Sequence, residues 1–144
     1  MSITPLRPYF SDDDIEFISQ EFRNILSGNG FLTMGRFGEQ FEEEFASYHS
    51  KKYAVSCNSG TSALEIICRG IDVKGFEVII PTNTFIATAN AVIGAGGIPV
   101  FSDIGLDMAL DPKDVAKKIT DKTRAVMTVH IGGYISPSMY DLIE

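Results

Sequence analysis

A turn at residues 58–62 combines the residue types that bind phosphate. It reads Asn-Ser-Gly-Thr-Ser, follows the apolar stretch 53–55, and precedes apolar residues spaced for one helix face, at Leu64, Ile67, Cys68 and Ile71. The turn therefore falls at a helix N-terminus, where unpaired backbone N–H groups and the positive end of the helix dipole attract anions. Gly60 lets an anion approach the main chain, and the Thr61 and Ser62 hydroxyls add hydrogen bonds. The same residue types cap helices that bind nothing, so both interpretations stand here.

An aromatic residue follows the next predicted strand. Residues 77–81 read Glu-Val-Ile-Ile-Pro, and the helix after them begins near Thr84. Phe85 thus lies in the first turn of that helix, beside the predicted anion site. There its ring can stack on a flat heteroaromatic ligand whose phosphate is held at 60–62. Packing into the core is the alternative for Phe85, as for most phenylalanines.

Several motifs follow one another in a fixed order along the chain. They read Asn-Ser-Gly-Thr-Ser-Ala-Leu at 58–64, Pro-Thr-Asn-Thr-Phe-Ile-Ala-Thr-Ala-Asn-Ala at 81–91, and Gly-Gly-Ile-Pro-Val-Phe-Ser-Asp-Ile at 96–104. In that order they resemble the DegT/StrS family of pyridoxal-phosphate-dependent sugar aminotransferases. Further segments are similar to the family's N-terminal loop, first acidic helix and next strand, at 29–35, 41–46 and 123–130. Nearly the whole chain is covered.

The resemblance implies a cofactor and roles for four residues. Gly60, Thr61 and Ser62 match the family's phosphate-binding turn, and Phe85 matches the aromatic residue that stacks on the pyridine ring. The implied cofactor is pyridoxal 5′-phosphate. The implied reaction moves an amino group from an amino acid to a keto sugar attached to a nucleotide.

Three further residues are candidates for substrate contacts. By resemblance, Thr33 and Gly35 belong to a loop near the substrate or the neighbouring subunit, although as local sequence they are only a turn after Gly28. His130 follows a predicted strand, where it can contact cofactor or substrate. A buried neutral histidine bonded to a backbone carbonyl is the alternative.

The family's other cofactor contacts are expected outside this sequence. In the family, the aspartate that pairs with the pyridine nitrogen, the glutamine near the ring hydroxyl and the lysine that forms the Schiff base come later than residue 144. None of the lysines here matches the Schiff-base motif; they are Lys51, Lys52, Lys74, Lys113, Lys117, Lys118 and Lys122. We therefore expect an N-terminal part without a catalytic residue of its own, inactive alone, whose final helix from Ser136 and Pro137 is cut short.

Predicted helices and strands alternate along the chain. The predicted helices are 11–27, 37–49, 61–70, 84–95, 112–119 and one beginning near 136, and the predicted strands are 52–56, 77–80, 98–102 and 124–129. This order predicts an α/β fold with a mainly parallel sheet and flanking helices. It resembles the N-terminal part of the large domain of fold-type I aminotransferases. We expect residues 1–50 to form a helical arm and 51–144 a partial, truncated cofactor-binding domain, with ligands at the carboxyl ends of its strands.

Composition limits the class of protein and its partners. With 44% hydrophobic and 22% charged residues, the 144-residue chain is typical of a globular protein and has no apolar run of membrane-spanning length. The net charge of −7, without a cationic stripe, disfavours nucleic acid. Residues 1–11 hold no signal-peptide core, so a cytoplasmic location is expected. Cys57 and Cys68 lack metal-ligand spacing, which predicts reduced, buried thiols and no metal site.

Other functions compete with the sugar-nucleotide aminotransferase. A non-catalytic module that binds phosphate, nucleotide or free pyridoxal phosphate stays open, because noncovalent anion binding needs no lysine. An α/β hydrolase with Ser59 as nucleophile fails, because Cys57 and Thr61 stand where its turn requires glycines. A dinucleotide fingerprint at 94–97 follows a helix instead of a strand, so a helix C-cap explains those glycines.

As partners we expect a second copy in a homodimer, or a chain that supplies the missing C-terminal part.

Overall fold

Helices account for most of the first unit of the chain in the computed structural model, which describes residues 8–142. The chain divides into two compact units, one up to Ser56 and one from Cys57 onward. In the first, helix α1 spans Asp12–Asn24 and helix α2 spans Arg36–Tyr48. Ser11 and Asp14 form a capping box at the start of α1, which satisfies two N–H groups of the helix terminus.

The predicted strand at 52–56 is wrong. These residues form no strand, and the side chains of Tyr53 and Val55 are 75% and 81% exposed. A strand needs a neighbour for its backbone hydrogen bonds, and none of the strands within residues 8–142 pairs with this segment. The Glu42 carboxylate instead accepts hydrogen bonds from the Ser56 N–H and hydroxyl, both at 2.7 Å, and these bonds lower the pKa of Glu42.

A three-stranded parallel sheet forms the centre of the second unit. Its strands are β1 (Glu77–Pro81), β2 (Ile98–Ser102) and β3 (Thr123–Val126), in the order β2-β1-β3. Helices α3 (Gly60–Gly70), α4 (Ile86–Gly94) and α5 (Pro112–Lys118) alternate with them. The predicted α/β architecture with a parallel sheet is confirmed.

The central strand β1 is buried on both faces. Val78, Ile79 and Ile80 are fully buried, as expected for the middle strand of a parallel sheet covered by helices. One face packs in a cluster with residues from α3, α4 and the segments after them: Cys68, Val73, Val78, Ile80, Ala89, Val92 and Ala95. On the other face Ile79 packs with Leu110 and Val115. The sheet thus holds α3 and α4 together on one side.

The two cysteines differ in environment. Cys68 is buried as predicted, and burial, followed by the nearby Glu65 carboxylate, raises the pKa of its thiol. Cys57 is exposed, so its predicted burial is wrong. It lies in the loop before α3, where its thiol donates to the Ser59 carbonyl at 3.3 Å.

The structure tests two predictions about where helices end or begin. Gly96 follows α4 with φ of 81°, so the glycines at 94–97 form a helix C-cap, as predicted. At the end of the described chain, the helix predicted to begin near 136 is present as the 3-10 helix Pro137–Leu142. No helix among residues 8–142 has the length and apolar character needed to cross a membrane.

Asp114 joins α5 to the end of β2. Its carboxylate accepts hydrogen bonds from the Lys118 ammonium, the Asp103 N–H at 2.8 Å and the Ser102 hydroxyl at 2.9 Å. These bonds, that from Lys118 first, lower the pKa of Asp114 to about 2. A folded-state pKa below the unfolded one stabilises the fold above the unfolded value of about 3.9, and this contribution disappears as the pH falls toward 2.

We therefore expect Asp114→Asn to lower the melting temperature at pH 7 and to have little effect at pH 2. Thermal unfolding of both proteins at several pH values measures the difference. Asp121→Asn, which removes an exposed carboxylate of the same unit, is the matched control and should change little at either pH. A wild-type advantage over Asp114→Asn that persists undiminished at pH 2 would contradict the assignment.

Candidate cofactor site

Ser59 caps the helix that follows the polar turn. Its extended backbone (φ −164°) places its Oγ to accept from the Ser62 N–H at 3.2 Å, and its carbonyl accepts from the Ala63 N–H at 3.0 Å. The capping role therefore belongs to Ser59. Gly60 and Thr61 occupy the first two helical positions, whose N–H groups have no carbonyl partner within the helix.

The turn is open to a ligand. A side chain at Gly60 would meet nothing within 4 Å, and Thr61 is exposed. An anion here can accept from the N–H groups of Gly60 and Thr61 and from the Thr61 hydroxyl, at the positive end of an eleven-residue helix. Ser62 is half-buried, and its hydroxyl lies 3.1 Å from the Ser59 Oγ. These donors fit a phosphate group.

Phe85 projects from the start of α4. It occupies the N-cap position with φ −66° and ψ 141°, and its side chain is 75% exposed. Its carbonyl accepts from the Thr88 N–H at 2.9 Å, which fixes the backbone at this point. The alternative that Phe85 packs into the core is wrong for this unit, because the residue is largely exposed.

Helices α3 and α4 bring these residues to one end of the unit. The two helices pack along each other, and Arg69 near the end of α3 donates to the carbonyl of Gly94, the last residue of α4, at 2.6 Å. Arg69 also pairs with Glu65 at 2.7 Å. From this contact between their C-terminal turns we infer that the two helices run in the same direction, which brings the turn at 60–62 to the same end as Phe85.

Asn83 lies between β1 and Phe85, and no local sequence pattern marks it as a site residue. Its Nδ2 donates to the Met108 carbonyl at 3.0 Å, which fixes the orientation of the amide. Its Oδ1 is buried and has no hydrogen-bond partner within the described part of the chain. A buried acceptor without a partner is uncommon, and here it marks a polar position two residues before Phe85.

The three candidate substrate residues lie in loops. His130 is exposed, so the buried-histidine alternative is wrong; it precedes a 3-10 turn at Ile131–Gly133. Thr33 and Gly35 belong to the first unit. Thr33 is exposed, and Gly35 is the N-cap of α2, where an added Cβ would lie 2.9 Å from the Phe31 carbonyl oxygen.

Comparison with known proteins identifies the family of this chain. Residues 12–143 match the DegT/DnrJ/EryC1/StrS aminotransferase family. The chain belongs to this family. The resemblance found in the motifs at 58–64, 81–91 and 96–104 is thereby confirmed, and with it the family's α/β fold.

Individual relatives of the DegT/DnrJ/EryC1/StrS family are similar along most of the chain. The 3-oxo-glucose-6-phosphate:glutamate aminotransferase of Bacillus subtilis (strain 168) is 35% identical over 132 residues, which are 90% of this chain and 30% of that protein. The GDP-perosamine synthase of Vibrio cholerae is 40% identical over 117 residues, 79% of this chain and 32% of the relative. The chain thus spans about a third of the length of the curated relatives it matches.

A solved structure that contains a bound cofactor is also similar to this chain. The crystal structure of NtdA from Bacillus subtilis, with the cofactor PMP bound, superposes with a TM-score of 0.79 at 34% sequence identity. The match covers 91% of this chain and 30% of NtdA. A cofactor-bound member of the DegT/DnrJ/EryC1/StrS family therefore has the fold of this chain.

Proposed function

We propose that this chain supplies the phosphate-binding turn and the ring-stacking residue of a pyridoxal-phosphate-dependent aminotransferase. One observation carries the proposal: Arg69 of α3 is bonded to Gly94 at the end of α4, from which we infer that the open N-terminus at Gly60 and the exposed ring of Phe85 share the opposite end of the helix pair. A flat ring with a phosphate substituent matches that pairing. Family membership and the PMP-bound relative support it.

Each residue has a separate task in this proposal. The N–H groups of Gly60 and Thr61 and the hydroxyls of Thr61 and Ser62 hold the phosphate, and Phe85 covers one face of the pyridine ring and excludes water from it. The cofactor, when bound, supplies the electron sink that amino-group transfer requires. The chain's own contribution is thus to bind and orient, which fixes the face from which a substrate approaches.

We propose as substrate a keto sugar attached to a nucleotide, with an amino acid as the amino donor. The name of the GDP-perosamine synthase supports a nucleotide-linked sugar. A sugar phosphate is the second candidate, because the 35% identical relative is named for 3-oxo-glucose-6-phosphate. Thr33 and Gly35 are the proposed substrate-side residues, and His130 is proposed to contact both the substrate and the cofactor.

The proposed assembly is a homodimer in which residues 1–50 form an arm and the rest the cofactor-binding domain. Exposed apolar side chains within each unit support association. In the first unit these are Phe41 and Phe45 of α2, and in the second Ile67 of α3 and Ile93 of α4. Sedimentation velocity over a concentration series tests this, and a monomer at all concentrations would contradict it.

The proposed cofactor site is tested with pyridoxamine 5′-phosphate, which carries an amine in place of the aldehyde and so cannot condense with surface lysines. We expect weak, reversible binding by the full chain in isothermal titration calorimetry. Phe85→Ala should weaken binding about 2- to 10-fold, the loss of roughly 0.5–1.5 kcal/mol of stacking. Asn90→Ala, a change at an exposed position of α4, is the control and should bind normally.

Pyridoxamine, which lacks the phosphate, separates the turn from the ring. We expect it to bind far more weakly than the phosphorylated form, because the donors at 60–62 then have no anion. Equal affinity for the two compounds would show that the turn holds no phosphate and would contradict the proposed function.

A further inference from the structure

The loop between β2 and α5 is attached to the loop that follows β1. It closes on itself through a bridge between Ile104 and Leu110 and a bond from the Gly105 N–H to the Ala109 carbonyl at 2.9 Å. Its Met108 has a left-handed backbone, with φ of 64°. The amide of Asn83 donates to the carbonyl of this same residue at 3.0 Å. A strained residue is thus held by a side chain from the loop that leads to Phe85.

The same loop is attached on its other side to the segment that follows β3. The Asp107 carboxylate accepts hydrogen bonds from the Ser138 hydroxyl at 2.8 Å and from the Ser136 hydroxyl, and Ser136 is 1% exposed. The Ser136 Oγ also accepts from the Ser138 N–H at 3.1 Å. The two hydroxyls, that of Ser136 first, lower the pKa of Asp107, so the acceptor is ionised at neutral pH.

Between these attachments lies the segment that carries His130. At its start the Met127 N–H donates to the Ile79 carbonyl at 2.8 Å, which ties it to β1. It then passes through two left-handed glycines, Gly132 with φ of 61° and Gly133 with φ of 81°, and reaches Ser136. Glycines in this conformation add backbone freedom, so the path of residues 130–135 depends on how its far end is anchored.

The two loops also line a small pocket that is partly open to solvent. It has a volume of about 140 Å³ and is lined by Asp107, Met108, Ala109, Val129, Ile131 and Tyr134. Residues 107–109 of one loop and residues of the segment after β3 therefore line the same space. A shift of the 130–135 segment would open this space, so its walls depend on the contact between Asp107 and the serines.

We propose that Asp107 is a positioning residue, which fixes the segment 130–135 by accepting hydrogen bonds from Ser136 and Ser138. Through the neighbouring Met108 and its bond to Asn83, the same loop couples that segment to the loop that carries Phe85. The loop after β1, the loop between β2 and α5, and the segment after β3 then move as one body at the carboxyl end of the sheet. The function for which His130 is positioned rests on the proposed cofactor site, whereas the anchoring itself does not.

The anchoring is tested by hydrogen exchange on the full chain. We expect Asp107→Ala to speed exchange of the amides at 130–135 about tenfold or more, as the loss of hydrogen bonds to an ionised group implies, and to leave β1 and α3 unchanged. Asp103→Ala removes an exposed carboxylate from the start of the same loop and should have no effect. Asp107→Asn keeps an acceptor oxygen and should restore part of the protection.

The two serines provide the reciprocal test. The double variant Ser136→Ala, Ser138→Ala should reproduce the faster exchange, and adding Asp107→Ala to it should change nothing more. Unchanged exchange at 130–135 in Asp107→Ala and Asp107→Asn would overturn the proposal. An equal increase throughout residues 57–142 would overturn it as well, because Asp107 would then contribute only to general stability.

An NMR measurement tests whether Asp107 positions the His130 ring. With pyridoxamine 5′-phosphate added, we expect the NMR signals of the His130 ring to shift in the wild-type chain and to shift less in Asp107→Ala, even at saturating ligand. A wild-type chain with no such shift contradicts a His130 contact with the cofactor, and the exchange data then decide the role of Asp107 alone. An unreduced shift in Asp107→Ala would overturn the positioning role.

Discussion

Replacing Ile80 with alanine is expected to lower the free energy of unfolding of the 57–142 unit by about 2–5 kcal/mol. Ile80 is fully buried in β1 and packs in the cluster that includes Cys68 of α3 and Val92 of α4. Alanine leaves a cavity that the surrounding helices can only partly fill. A domain of this size is stable by about 5–15 kcal/mol, so one such change removes a large fraction of the total.

Ile79→Ala is the matched comparison on the opposite face of the sheet. Ile79 is equally buried, but it packs with Leu110 and Val115, away from α3 and α4. Both variants should lose similar stability, whereas Ile80→Ala should also weaken binding of pyridoxamine 5′-phosphate, because it loosens the helices that carry the turn and Phe85. Ile66→Ala, at an exposed position of α3, should change stability by less than about 0.5 kcal/mol.

Native-state hydrogen exchange of the β1 amides measures these losses, because a chain of two units need not unfold in one step. The slowest β1 amides report the opening of this unit alone. If the Ile80→Ala and Ile66→Ala variants lose the same stability, the assigned core is wrong. If Ile79→Ala weakens binding of pyridoxamine 5′-phosphate as much as Ile80→Ala does, the two faces of the sheet do not differ in their effect on the ligand site.

The sequence predicts β1 well because its signal is local. Val78, Ile79 and Ile80 form an apolar run between Glu77 and Pro81, and a strand buried on both faces needs no alternation of polar and apolar residues. The parallel order follows from the alternation of strands and helices and from the handedness of the crossovers. Both inferences use only neighbouring residues and general rules of topology.

The failed predictions depend on distant residues. The segment 52–56 has the composition of a strand, but a strand also requires a partner, and composition does not reveal one. The final helix does begin at Pro137 as predicted, but the hydrogen bonds of the Ser136 and Ser138 hydroxyls to Asp107, 29 and 31 residues earlier, have no signal in the local sequence.

In the candidate site too, some features have a local sequence signal and others depend on distant residues. The turn at 60–62 and the aromatic at 85 each follow from a few adjacent residues, so the sequence alone is enough to locate them. The capping role of Ser59 also has a local signal, its three-residue spacing to Ser62, but Asn58, Thr61 and Ser62 are equally good capping residue types. The contacts of Asn83 with Met108 and of Asp107 with the serines join residues 25 or more positions apart, and no local pattern predicts them.

Thr61→Ala is expected to weaken binding of pyridoxamine 5′-phosphate by about 10- to 150-fold, the loss of a hydrogen bond to a charged group worth about 1.5–3 kcal/mol. Its stability should hardly change, because Thr61 is exposed and the cap is formed by Ser59. Ser59→Ala should do the reverse. It removes the acceptor of the Ser62 N–H and should cost about 1 kcal/mol of stability, with a smaller effect on affinity.

These two variants are controls for each other, since they remove one hydroxyl each from positions two residues apart. Calorimetric titration gives the affinity of each variant, and hydrogen exchange of the α3 amides gives the stability of the helix that both affect. Because the structure assigns the cap to Ser59, a phosphate-binding turn predicts weaker ligand binding by Thr61→Ala, whereas a simple capped helix predicts no change in affinity and no change in stability. If Thr61→Ala binds the ligand as tightly as the wild type, the turn is only the start of a capped helix and binds no phosphate.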